Sequence, residues 1–153
     1  MDTLEQIKNY YRISDMIATS GQPAAEQFTA IKQADFDVVI NLARHDSPEA
    51  IVDEDQLVQQ LGLDYVHIPV DFEAPVLSDL KRFFATMDRY KHNNIFIHCA
   101  LNWRVSVFVF LYRTVRCDYP VALAIRDLHA VWQPDAVWQT FIESVLAHYH
   151  INH

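Results

Sequence analysis

Cys99 and Arg104 are separated by four residues in the stretch His98-Cys99-Ala100-Leu101-Asn102-Trp103-Arg104. An apolar, β-prone run over 94–98 precedes the cysteine, and an apolar helical run over 105–116 follows the arginine. A loop in that position directs its backbone N–H groups, and the N-terminus of the following helix, into one small concavity that attracts anions. The same partial positive charge, with a guanidinium at hand, favours thiolate over thiol and makes a cysteine nucleophilic at neutral pH. Arginine offers two parallel N–H donors to two oxygens of a phosphate-like group, a geometry that lysine cannot match. On this reading Ala100, Leu101, Asn102 and Trp103 form the anion loop, Arg104 clamps the oxyanion and Cys99 attacks it. The loop has no glycine, and Asn102 is the non-glycine residue type most tolerant of a left-handed conformation. The plainer alternative is a small buried thiol at 99 and a surface arginine at 104.

Such a loop needs a strand to deliver it and a helix to receive it, and the chain supplies a series of these units. Residues 11–19 read as a short extended stretch, and Ser20-Gly21-Gln22-Pro23 as a turn whose proline suits the first turn of a helix over 24–34. Residues 37–42 form a β-branched run suited to a buried strand, followed by a polar loop over 44–48 and a helix ending near Gly62. A third strand is expected over 64–70, a loop over 71–77, and a helix capped by Ser78 and running to Tyr90, with Leu80, Phe83, Phe84 and Met87 on one side. The fourth strand, over 94–98, ends at Cys99. The helix over 105–116 is apolar almost all round and therefore central and buried, and two more helical segments are split at Gln133-Pro134. The order predicts an α/β fold: a mainly parallel, four- to five-stranded sheet flanked by helices, with ligands bound beyond the carboxyl ends of the strands.

The 153 residues suit one domain spanning 1–153, with neither repeats nor a Gly/Ser linker, and a formal charge of −8 argues against a nucleic-acid partner. Apolar runs are far too short for a membrane span, and no basic-then-apolar leader opens the chain, so an unexported, cytoplasmic protein without a membrane partner is expected. Two cysteines, Cys99 and Cys117, are too few for a disulfide framework, and Cys117 reads as a structural thiol. His148, His150 and His153 have no helical metal-binding pattern around them and read as an exposed terminus; no metal or other cofactor is expected.

A histidine-cysteine pair after a strand, followed by a short loop and arginine, resembles the signature of the protein tyrosine and dual-specificity phosphatases, particularly small bacterial phosphatase-like proteins. The resemblance extends to Ser20-Gly21-Gln22-Pro23, Val39-Ile40-Asn41-Leu42 and Tyr65-Val66-His67-Ile68-Pro69-Val70, and so covers most of the chain. It implies a phosphotyrosine-phosphatase-like fold and a metal-free, two-step reaction through phosphocysteine on Cys99, with Arg104 and the loop amides holding the oxygens. The substrate would be a phosphorylated protein or a small phosphomonoester. Asp71, after Ile68-Pro69-Val70, resembles the family's general acid, with Glu73 as the alternative; the bland reading of both is as solvated loop acids. His98 is implied to support the cysteine loop by hydrogen bonding, and Ser106 to assist departure of the thiolate.

The loop is one residue shorter than the family's usual spacing. That length also resembles rhodanese sulfurtransferases, in which a persulfide on Cys99 would replace phosphocysteine. A third alternative is a catalytically weak domain that binds phosphate or phosphorylated partners without turnover. Arg44 and His45, after the second strand, read either as cleft residues adding positive potential or as ordinary polar loop residues. Trp103 reads as packing beneath the loop and narrowing the pocket, and Trp132, Trp138 and Phe141 as core. Oligomeric state and physiological substrate leave no mark on the sequence.

Overall fold

The computed structural model describes residues 3–152. A short 3-10 turn, Leu4–Gln6, leads into β1 (Tyr11–Arg12) and β2 (Ile17–Ser20). There follow α1 (Gln27–Gln33), β3 (Val38–Asn41), α2 (Glu54–Gln60), β4 (Asp64–His67), α3 (Leu77–Arg89), β5 (Ile95–His98), α4 (Trp103–Arg116), α5 (Val121–Val131) and α6 (Ala136–His148). The sheet order is β1-β2-β5-β3-β4, with β1 antiparallel to β2 and every other pair parallel. This is the expected α/β architecture with five strands.

Strand alternation sorts the side chains between two cores. Val38, Ile40, Ile95 and Ile97 face the layer of α3, α4, α5 and α6, where they meet Phe83, Phe108, Trp138 and Ile142. Ala18, Val39 and Phe96 face the opposite layer and pack with Phe28, Ile31 and Val58 from α1 and α2. Ten residues of α4 are buried, as its apolar circumference requires.

The four parallel strands end in one register row: Ser20 pairs with His98, His98 with Asn41, and Asn41 with His67. Every residue of this row is polar, and each leads into a loop at the same end of the sheet.

Several boundaries differ from the sequence expectation. Residues 11–19 fold as a hairpin, because Ser14 turns the chain and its hydroxyl accepts from the amides of Met16 and Ile17. The helix expected over 24–34 begins only at Gln27, after a turn at Ala24. Ser78 is not a cap: Val76, in an extended conformation, precedes the helix and Ser78 lies in its first turn. Trp103 and Arg104 belong to α4 itself, so the arginine sits in the first helical turn. Asp135 caps α6, accepting from the Trp138 amide at 3.0 Å, while Pro134 stands just outside. Cys117 is exposed at the end of α4 and so is not a buried structural thiol. His153 lies outside the described residues. No helix is long and apolar enough to cross a membrane among those described.

Candidate active site

Cys99 is the first residue beyond the central strand β5 and is only 1% exposed. It lines a cleft of about 650 Å³ together with Ala100, Leu101, Trp103, Arg104, Asp71, Phe72 and Glu73, with Lys8, Arg44 and the 46–49 segment across from them.

The loop owes its shape to three carbonyls that are each tied away from the cleft. His98 Nδ1 lies 3.3 Å from the Cys99 carbonyl oxygen, the Gln22 amide donates to the Ala100 oxygen at 3.0 Å, and Asn9 Nδ2 donates to the Leu101 oxygen at 3.0 Å. Among the described residues there is no cis peptide bond, and a trans peptide carries its C=O and N–H on opposite sides. Fixing the carbonyls of 99, 100 and 101 therefore turns the amides of Ala100, Leu101 and Asn102 the other way. Among the described residues no acceptor meets these three N–H groups. Successive free amides at the mouth of a 14-residue helix make an anion cradle.

Asn102 completes the turn in the left-handed region at φ 69°, as its residue type suggested. Its Nδ2 donates to the Asn9 carbonyl at 2.9 Å and to Thr19 Oγ1 at 3.0 Å. Asn9 and Asn102 thus hold each other's neighbourhoods, and the segment before β1 becomes part of the site. The sequence reading had given that segment no role. Gly21 is the other requirement: a Cβ there would lie 2.5 Å from the Ala100 oxygen, so only glycine lets the Ser20-Gly21-Gln22 turn approach the loop this closely.

Arg104 is 7% exposed, and its Nη1 donates to the Val70 carbonyl at 2.9 Å. That bond ties Arg104 to the start of the loop that carries Asp71 and Glu73, since Asp71 is the next residue. Asp71 Oδ1 accepts from the Glu73 amide at 2.9 Å, and Oδ2 lies 3.7 Å from Arg44 Nη1. Asp71 and Glu73 are both exposed. Phe72 between them sits in an aromatic box, with ring centroids 5.9 Å from Trp103, 5.9 Å from Trp132 and 5.8 Å from Trp138. Trp138 Nε1 donates to the Phe72 carbonyl at 2.8 Å. Trp103 and Trp132 stack at 4.8 Å, nearly parallel. Trp132 and Trp138, expected from the sequence as core, and Trp103, expected beneath the cysteine loop, together anchor the loop that carries Asp71 and Glu73.

Ser106 is engaged elsewhere: its hydroxyl donates to the Trp103 carbonyl at 2.8 Å and accepts from Trp132 Nε1 at 2.9 Å. Arg44 lines the cleft, whereas His45 turns to a neighbouring cavity and packs edge-on against His67 at 4.7 Å.

Behind the loop, on the α1/α2 side, His98 Nε2 lies 2.7 Å from Glu54 Oε2, and Gln22 Nε2 donates to Glu54 Oε1 at 2.8 Å. Burial pushes the Glu54 carboxyl up, but the opposing influence of His98, Gln22 and Tyr65 wins and holds it below the usual carboxylate range. The stability this confers is present above the ordinary carboxylate pKa and is lost as pH falls through the lowered one. Burial and then the Glu54 charge raise the Tyr65 hydroxyl well above its usual range. Glu54 was not singled out in the sequence. Its signal was indirect: Phe96 and His98 share a strand face, so a histidine on that buried face needs a partner.

Among the described residues no group of three or more His, Cys, Asp or Glu side chains is placed to hold a metal ion.

Comparisons with known proteins bear on the fold and the family of the chain. The sequence model of the family described as DSP-PTPase phosphatase fused to NAD+ kinase matches residues 6–142. Two crystal structures described as a putative phosphatase (DUF442) from Shewanella putrefaciens CN-32 are similar along their length. One shows 37% identity and a TM-score of 0.86, covering 95% of this chain and 96% of that one. The other shows 34% identity and a TM-score of 0.82, covering 100% and 99%. TpbA of P. aeruginosa, solved in complex with pTyr, shares the fold at 14% identity with a TM-score of 0.70, covering 94% of this chain and 91% of that one. No curated protein sequence matches the chain.

Proposed function

The chain belongs to the dual-specificity/protein tyrosine phosphatase family so matched, and from that premise we propose that it is a cysteine-dependent phosphatase acting on phosphomonoesters through a phosphocysteine intermediate. The observation that carries the proposal is the placement of Cys99 and Arg104 in one cleft, around a loop whose three outward carbonyls leave its amides free for an oxyanion.

In the first step the phosphoryl group lies against the amides of Ala100, Leu101 and Asn102, with the remaining N–H groups of Arg104 on its oxygens. The Cys99 thiolate attacks phosphorus; the S–P bond forms, the ester P–O bond breaks, and the departing oxygen takes a proton from Asp71. In the second step water attacks phosphorus and gives its proton to the Asp71 carboxylate. The S–P bond breaks, and phosphate and thiolate are regenerated. Preorganised amides act where charge gathers on the transferring group.

Asp71 is favoured over Glu73 because it follows directly on Val70, whose carbonyl is fixed by Arg104. The thiolate-leaving role suggested for Ser106 finds no support in its contacts, since both hydroxyl bonds go to the tryptophan box. The family match and the two similar putative phosphatases favour phosphoryl over sulfur chemistry at this loop. The substrates proposed are phosphotyrosine, phosphoserine/threonine or small phosphomonoesters.

The test is hydrolysis of a chromogenic aryl phosphate without metal. Cys99→Ser is expected to abolish phosphate release, and Asp71→Asn to lower kcat by about 10²-fold, with Glu73→Gln close to wild type. Turnover that survives Cys99→Ser would overturn the mechanism. A larger loss in Glu73→Gln than in Asp71→Asn would move the proton donor to Glu73.

A further inference from the structure

The polar row at the strand ends is divided between two faces of the sheet, and its buried part converges on a single carboxylate. Glu54, the first residue of α2, is 4% exposed and receives His98 from the end of β5 and Gln22 from the turn after β2. The Tyr65 hydroxyl, from β4, adds to the influences that hold its carboxyl below the usual range. Asn41, at the end of β3, extends the set: its Nδ2 donates to the Tyr65 hydroxyl at 3.0 Å and its Oδ1 accepts from the Ala43 amide at 2.8 Å. The nearest further charge on α2 is Asp55, and from α1 the Phe28 ring stands edge-on to His98 at 6.0 Å. Gln22, Asn41, Tyr65 and His98 come from the four stretches that identify the chain's family, and Glu54 joins them.

A buried carboxylate is a costly way to fasten a helix to a sheet, because apolar side chains of similar volume do it as well or better. The arrangement has a further use at the other end of the histidine ring. Nε2 faces the Glu54 carboxylate and Nδ1 faces the Cys99 carbonyl. Two acceptors, one at each nitrogen, are both satisfied only when the ring carries both protons. Without the carboxylate the ring needs only one, and nothing then fixes it on Nδ1.

We propose that Glu54 is a positioning residue for the nucleophile, acting through His98 to hold the Cys99 carbonyl away from the cleft and so keep the Ala100 amide facing the thiolate and its substrate. His98 is the link and Cys99 the reacting group; Glu54 touches neither substrate nor phosphorus. The kinetic consequence rests on the phosphatase reading above, whereas the consequence for the thiol does not.

The variant is Glu54→Leu, which keeps much of the volume and offers His98 neither a charge nor a hydrogen bond, made alongside wild type in a Cys117→Ser background so that Cys99 is the one thiol. Iodoacetamide alkylation is followed across about pH 5–8, together with the melting temperature. The expected result is alkylation about tenfold slower at the acid end and equal to wild type at the alkaline plateau, with a cooperative melt retained. Aryl phosphate kcat/KM should lose a similar factor at the acid end. A folded Glu54→Leu whose alkylation profile overlays the wild type overturns the proposal.

Should the variant not fold, the wild-type ring decides: nitrogen NMR of His98 should show a proton on Nδ1, directed to the Cys99 carbonyl, and a bare Nδ1 overturns the proposal. A wild type that releases no phosphate would remove the phosphatase reading, while the alkylation and ring measurements still decide the role of Glu54.

Discussion

The two walls of the cleft are built on different principles. The wall that carries the nucleophile is buried and over-determined: Cys99, Asn102 and Arg104 are 1%, 0% and 7% exposed, and the loop's carbonyls are held by His98, Gln22 and Asn9 from three separate segments. The wall that carries the acid is exposed at both carboxylates and hangs on one aromatic side chain and one carbonyl, those of Phe72. Anion binding needs several donors fixed together before charge arrives. A proton donor needs a reachable oxygen and contact with solvent to recover its proton. The difference in burial follows from the difference in task, and Arg104 bonds across both walls through its link to Val70.

That comparison is broken most severely at Arg104. Arg104→Lys keeps the charge but loses the fork, so one ammonium must serve both the oxyanion and the Val70 carbonyl. The expected loss in aryl phosphate kcat/KM is about 10²–10³-fold, with the melt little changed. Near-normal kinetics in Arg104→Lys would mean that the loop amides alone hold the phosphoryl group.

The next largest effect belongs to the nucleophile wall's backbone. Gly21→Ala would place a methyl 2.5 Å from the Ala100 oxygen, a backbone atom that no side-chain rotation can move aside. The turn must retreat, which breaks the Gln22 amide bond that orients the Leu101 N–H. Overpacking of this kind costs about 1–3 kcal/mol, and phosphate or vanadate affinity should fall with it. A Gly21→Ala protein with wild-type melt and anion affinity would show that the loop keeps its shape without the turn.

Much of this wall was legible in the chain. Strand, loop and helix could be read around Cys99 from the run of apolar residues, and the left-handed turn at Asn102 from its residue type. The Asn9 tether and the Glu54 network were not, because each pairs residues far apart in sequence: Asn9 with Leu101, Glu54 with His98. In the run Glu54-Asp55-Gln56, Glu54 looks like any acid in the first turn of a helix; only the parity of β5, which buries His98 beside Phe96, asks for it. Cys117 shows the opposite failure, since its residue type suggested burial and the end of α4 left it in solvent. The acid wall was legible as a carboxylate after a proline-containing strand end, but not as a suspended loop. Residue type marks Trp132 and Trp138 as core and says nothing of the indole N–H groups that decide what they hold.

The smallest effect, and the sharpest for the comparison, is expected at Trp138. Its ring is fully buried and its Nε1 is the donor to the Phe72 carbonyl. Trp138→Phe keeps an aromatic ring against Phe72 and Phe108 but leaves that carbonyl without its partner, at about 1 kcal/mol for the lost bond plus a contribution for the smaller ring. Because the bond fastens the acid loop and not the anion loop, kcat should drop by about two- to fivefold while phosphate inhibition stays at the wild-type level. The loss should be greatest for poor leaving groups, which depend on the proton from Asp71, and should shrink for an activated aryl phosphate. If phosphate inhibition weakens as much as kcat falls, the two walls are one mechanical unit; if only kcat moves, the acid loop is positioned independently of the cradle it serves.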